Sequence, residues 1–219
     1  MRNVTQLPNQ DCVVKVGGGR GFIIVNRVKM PALKNWKAYF VEHRLIVTAA
    51  HCLPKLPPAC SASLPYERTY EDLLGTLDQK KKGVWAECVF ADPVADIAVL
   101  GCPDEQALYD EAEEYRALTD GAAFLRIGTA QTGTGWMLSL KRRWISSRLV
   151  AHGISLETGP TKGGMSGSPI LNSAGQAVGV VSIGTTSKSL KGRRIEDRRT
   201  GPQPILASCL PGWLLSKQA

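Results

Sequence analysis

Short apolar runs, each cut off by glycine, proline or charge before it reaches helical length, dominate this 219-residue sequence. Runs of that length bounded by turn formers read as strands. In the first half GFIIV (21–25), RLIVTAA (44–50), VWAECVFA (84–91) and DIAVLGC (96–102) are the clearest. One segment breaks the pattern: 103–121 is acidic and rich in Ala, Leu and Glu, with apolar residues at 108, 112, 115 and 118, the spacing of one helix face. The strand pattern then resumes in AAFLRIG (122–128), GWMLSL (135–140), RLVAHGISL (148–156), SPILN (168–172) and QAVGVVSIG (176–184). The expected architecture is all-β within a single domain: a first β unit over 17–105, a linker helix over 106–121, and a second β unit with its C-terminal segment over 122–219. The apolar stretch 202–215 is interrupted by Pro204, Pro211 and Gly212, which leaves room for a short C-terminal helix docked on the core.

Composition excludes several classes. Apolar residues at 43% and charged residues at 21% are those of a globular chain, not of a disordered, collagenous or coiled-coil one. No apolar run approaches the roughly 18 residues of a membrane span, and the start, MRNVTQLPNQDC, lacks the apolar core of a secretory signal. A cytoplasmic location without a membrane partner is the expectation, and Asn3-Val4-Thr5 is then a glycosylation motif with no use. Basic residues outnumber acidic ones 27 to 19, a net charge of +8, and cluster at 80–82, 141–143 and 188–199. The clusters lack interleaved aromatics, so they read as solvated surface, and nucleic acid is not an expected partner. The six cysteines, at 12, 52, 60, 88, 102 and 209, form none of the close pairs of a zinc site, so neither metal nor cofactor is expected. Their even number permits disulfides; a reducing compartment favours free thiols.

Three residues can carry chemistry together. His51 ends the run LIVTAAHC, where a strand gives way to a turn. Asp96 opens the apolar strand DIAVL, and a carboxylate at such an edge has to be paired or hydrogen-bonded. Ser166 lies in TKGGMSGSPI (161–170), where Gly163, Gly164 and Gly167 allow a tight turn that exposes one hydroxyl and converges backbone N–H groups. A hydroxyl, an imidazole and a carboxylate are the parts nucleophilic acyl transfer needs. Ser168, His43 and His152 lack such surroundings, and Asp92 before a proline reads as a turn.

The order His, Asp, Ser and the contexts VTAAHC, DIAVL and GMSGSP resemble the trypsin-like, chymotrypsin-fold serine peptidases, with GRGF (19–22) similar to a strand opening of their bacterial branches. Within that family GMSGSP is similar to the serine motifs of the glutamyl endopeptidases and the HtrA group. The resemblance covers 19–184 and implies two six-stranded antiparallel β-barrels with the site in the cleft between them. It also implies His51, Asp96 and Ser166 as a catalytic triad, Gly164 and Ser166 N–H groups as an oxyanion hole, and a protein or peptide substrate. Substrate-binding positions carried over are Thr161, Val181, Ser182, Ile183 and Gly184, with Pro160 beside them. None is acidic, which favours an uncharged, small or medium side chain before the cleaved bond; Val181 stands where glutamyl endopeptidases carry a histidine.

Two departures bear on regulation. Met165 precedes the nucleophile where secreted relatives have an aspartate that pairs with a new N-terminus, so control by a regulatory partner or a fused sensor or effector module is expected instead. Trp36 occupies the position of the family cysteine that bridges to Cys52, which leaves Cys52 free or, locally, paired with Cys60. A catalytically silent peptide-binding module of the same fold is the alternative expectation. An active enzyme needs His51 neutral, so its activity rises near a histidine's ordinary pKa of about 6.5.

Overall fold

The structure is a computed structural model that describes residues 7–30, 39–58, 65–79, 83–129, 132–150, 153–155, 162–182 and 206–215. The first half is a closed six-stranded barrel. Its strands are β1 (Val13–Val16), β2 (Gly19–Met30), β3 (Tyr39–Thr48), β4 (Thr69–Thr76), β5 (Val84–Asp92) and β6 (Ile97–Gly101), in the order β1-β2-β3-β6-β5-β4. Pairing of Val14 with Thr76 and Val16 with Leu74 closes the ring. Phe22, Ile23 and Ile24 are all fully buried, as is every residue of β6. Continuous rather than alternating apolar runs therefore mark strands covered on both faces.

Two of these strands have no clear sequence signal. β1 has four residues and lies before residue 17, so the barrel begins earlier than the sequence suggests. β4 carries Asp72 in the left-handed region (φ 49°), and its register against β5 shifts between Tyr70 and Leu74. That bulge breaks the two-residue period on which a strand is recognised.

The linking helix, α1 (Tyr109–Thr119), starts later than expected and buries Ala112 and Tyr115. Tyr115 donates its hydroxyl to the carbonyls of Arg44 (2.9 Å) and Leu100 (3.3 Å), pinning the helix to the barrel. Arg44 donates to the carbonyls of Thr119 and Ala122, acceptors at and just past the helix C-terminus.

The second half contains β7 (Gly133–Leu138), β8 (Trp144–Val150), β9 (Gly153–Ser155), β10 (Pro169–Leu171) and β11 (Ala177–Val180). Among the described residues they form a five-stranded antiparallel sheet, β11-β10-β7-β8-β9, where a six-stranded barrel is expected. The run 122–128 is a connection rather than a regular strand. Leu125 N–H donates to Ile23 in β2, while Arg126 and Gly128 bond Ala177 in β11, so its hydrogen bonds are divided between the halves. The C-terminal helix is broken at Pro211 into α2 (Leu206–Cys209) and α3 (Gly212–Leu215), with Leu206, Leu210 and Leu214 buried in the main core. No helix among the described residues is long and apolar enough to cross a membrane.

One group of buried hydrogen bonds ties the halves together. Arg20 N–H donates to the Ser166 carbonyl at 2.7 Å, and the Arg20 carbonyl accepts from Thr48 Oγ1 at 2.6 Å. The Arg20 guanidinium donates to the carbonyls of Leu138 and Ser139, both at 3.0 Å. Gly167 has φ 80°, and a Cβ there would lie 1.7 Å from the Arg20 carbonyl oxygen. Gly167→Ala is therefore expected to cost about 3 kcal/mol or more in stability, by strain and collision with backbone. Gly163→Ala, with open space around it, is expected to stay within about 0.5 kcal/mol. Urea unfolding of both variants beside the wild type checks the contrast.

Candidate active site

A short 3₁₀ turn, Ala50–Cys52, follows β3 and turns His51 out of the barrel wall. Asp96, at the entry to β6, grips this turn three times. Its carbonyl accepts from Ala50 N–H at 3.1 Å, its Oδ1 accepts from His51 N–H at 2.9 Å, and its Oδ2 lies 2.7 Å from His51 Nδ1. Asp96 itself sits at φ 55°, a region aspartate tolerates better than most residues. The neighbouring Asp92 accepts from Val94 and Ala95 N–H, the turn expected for it.

Ser182 Oγ donates to Asp96 Oδ2 at 2.5 Å. The resemblance puts Ser182 on the substrate-pairing strand, and in the structure its side chain bonds the aspartate. Val181 is buried, its N–H donates to Ser168 and its carbonyl accepts from Gly167. Thr161, Ile183 and Gly184, with Pro160, His152, Trp36 and Cys60, lie outside the described residues, as do the basic stretches 80–82 and 188–199.

The contacts of Asp96 set the charge state of the pair. The hydrogen bond to Asp96 raises the His51 pKa above its ordinary 6.5, against the opposing effect of partial burial. Burial pushes the Asp96 carboxyl up, but hydrogen bonds from the His51 ring, Ser182 Oγ and His51 N–H outweigh it and hold the carboxyl below its usual value. Asp96 in this setting is an anion, and its contact with His51 Nδ1 favours the proton on that nitrogen.

Ser166 is positioned by its main chain. Its carbonyl is the acceptor for Arg20, and a Cβ on the adjacent Gly19 would lie 2.5 Å from that oxygen and 2.6 Å from Cys52 Sγ. The serine turn and the His51–Cys52 turn therefore meet over Gly19, which has no side chain to hold them apart. Gly164 adopts φ 87°, favourable only to glycine. Met165 is buried against Ile170, Val178 and Val181, and its sulfur accepts from Lys162 N–H at 3.4 Å. Among the described residues, neither Gly164 N–H nor Ser166 N–H donates to a backbone carbonyl. Ser168 is fully buried, and His43 stands exposed on β3.

Sequence reasoning missed Arg20 and Thr48. An arginine between two glycines at the head of an apolar strand was the available signal, because a charge in that position has to find acceptors indoors. Of the cysteines, Cys12, Cys52, Cys88, Cys102 and Cys209 are free thiols. Burial pushes Cys12 up to about 12 and Cys88 to about 11, so neither is a thiolate at neutral pH.

The chain belongs to the family of trypsin-like peptidase domains, whose sequence model matches residues 37–180, about two thirds of its length. No curated protein matches it. Among solved structures, a human pathogenic astrovirus serine protease aligns at 16% identity over 81% of this chain and 85% of that one, with a TM-score of 0.43.

Linkage between the pair and the fold follows in sign. The raised His51 value adds stability in full below about pH 6.5, and this is lost as pH rises through the folded-state value. The lowered Asp96 value adds stability above about pH 4, lost as pH falls through its folded value. An NMR titration of the His51 ring is expected to give a midpoint above 6.5 in the wild type and a lower one in Asp96→Asn. In Ser182→Ala the aspartate should protonate at higher pH than in the wild type.

Proposed function

We propose that this protein is a serine endopeptidase acting through an acyl-enzyme, with His51, Asp96 and Ser166 as its triad. The observation that carries the proposal is the grip of Asp96 on both the ring and the backbone of His51, beside a glycine-flanked serine turn. In this reading Ser166 Oγ attacks the carbonyl carbon of the scissile peptide while His51 Nε2 takes its proton. The oxyanion is received by Gly164 N–H and Ser166 N–H. His51 returns the proton to the leaving amine as the C–N bond breaks, then deprotonates the water that attacks the ester, and passes that proton to Ser166 Oγ as the acyl–oxygen bond breaks. Asp96 stays ionised throughout and stabilises the imidazolium.

An uncharged, small or medium residue before the cleaved bond fits this chain, since no acidic residue occurs at 160, 161 or 181–184. Met165 offers no carboxylate to a new N-terminus, and this supports control by a partner or a fused module over control by N-terminal cleavage.

A fluorophosphonate probe is expected to add once to the wild type and not at all to Ser166→Ala, read by intact mass. Lack of labelling of the wild type, with labelling equally absent in Ser166→Ala, sinks the enzyme reading in favour of a silent peptide-binding module. The pH profile of kcat/KM is expected to rise with a midpoint above 6.5, because the Asp96 contact keeps His51 protonated to higher pH. Asp96→Asn should lower kcat by about 10⁴-fold, and a flat profile from about pH 5 to 8 contradicts the role of His51.

A further inference from the structure

A second feature of the site is a pocket of about 200 Å³ that opens beside Gly164 and is lined by Lys15, Gly18, Gly19, Arg20, Leu140 and Arg142. Its ionisable lining is entirely basic. Neither Val181 nor Ser182 contributes to it; Ser182 instead bonds Asp96. A substrate whose carbonyl oxygen rests on Gly164 sends its two chain directions away on opposite sides of that oxygen. If the acylated segment runs along the strand after the nucleophile, the leaving segment passes over Gly18–Arg20 and Leu140, into the basic pocket.

The pocket is built rather than incidental. Arg20 is 6% exposed and donates to the carbonyls of Leu138, Ser139 and Leu140. Among the described residues no carboxylate pairs with it. Carbonyls satisfy its N–H groups but supply no counter-charge. Burial lowers its pKa, and the neighbouring positive charge of Arg142 lowers it further. Arg142 occupies a left-handed backbone position (φ 56°) in the tight turn between β7 and β8, closed by Arg142 N–H to Ser139 carbonyl. Glycine or asparagine is the usual residue at such an angle, so the fold accepts strain to hold an arginine there. Arg142 pairs with Asp78, but both side chains are well exposed, and an exposed pair is readily exchanged.

We propose that this pocket receives a carboxylate carried by the leaving segment of the substrate, an acidic side chain or a free chain end within the first two positions after the cleaved bond. The proposal rests on the serine-peptidase reading and adds to it a selectivity of charge.

The test uses peptides with one common acyl segment and leaving segments that differ singly: Glu against Gln, and a two-residue segment with a free carboxylate against the same segment as amide. Wild-type kcat/KM is expected to favour Glu by about three- to ten-fold, less at about 0.5 M salt. The free-end arm decides whether side chain or terminus is the better source. Lys15→Gln with Arg142→Gln should erase the preference, and Asp78→Asn, which removes the competing carboxylate, should enlarge it. Fluorophosphonate labelling, which involves no leaving peptide, reports whether the serine site is formed in each of them. Normal labelling with equal rates for Glu and Gln overturns the pocket assignment alone; a wild type that does not label brings down the peptidase reading and the assignment with it.

Discussion

The structure depends on how Arg20 is held. Its N–H, its carbonyl and its guanidinium bond respectively to Ser166, Thr48 and the end of β7, so a single residue of the first barrel reaches three parts of the site region. Each bond contributes about 0.5–1.5 kcal/mol net, but a buried donor or acceptor left without its partner costs about 1–3. The contact is therefore harder to lose than it is rewarding to make. That asymmetry fixes the distance between the halves, and Gly19 and Gly167 are the positions where the approach leaves no space for a side chain.

A second chain of contacts runs through Asp96. Gly167 N–H bonds the Val181 carbonyl, and the next residue, Ser182, bonds Asp96, which bonds His51. The serine turn and the histidine are thus registered to each other twice, through Arg20 on one side and through Val181–Ser182 on the other. Asp96 stays charged although half-buried because every contact it makes is a donor aimed at it. Its polarising effect on His51 and its hold on the Ala50–His51 backbone come from the same carboxylate, so geometry and proton placement cannot be separated in a variant.

Much of this was legible in the letters. The strands β2, β3, β5 and β6 announce themselves as apolar runs, and α1 by its spacing. β1 and β4 were not legible, since one is too short to show a period and the other is interrupted at Asp72. The run 122–128 has the composition of a strand, yet its hydrogen bonds go to two different sheets. Composition records burial but not which neighbour supplies the acceptors. Ser182 was readable as a residue near the site; that it faces Asp96 was not, because the two are 86 positions apart.

By itself the sequence determined which chemical groups are present and what local backbone surrounds them: an imidazole after a strand, a carboxylate at the head of another, a serine in a glycine turn. Local rules suffice there, since turn geometry and strand burial depend on near neighbours. Only the tertiary structure decided that Asp96 meets His51, that Arg20 joins Ser166 to the first barrel, and that Lys15, Arg20 and Arg142 line one pocket. Such contacts arise from closing loops of tens to more than a hundred residues, and their partners are selected by shape and by the need to satisfy buried polar groups, which no short stretch of sequence encodes.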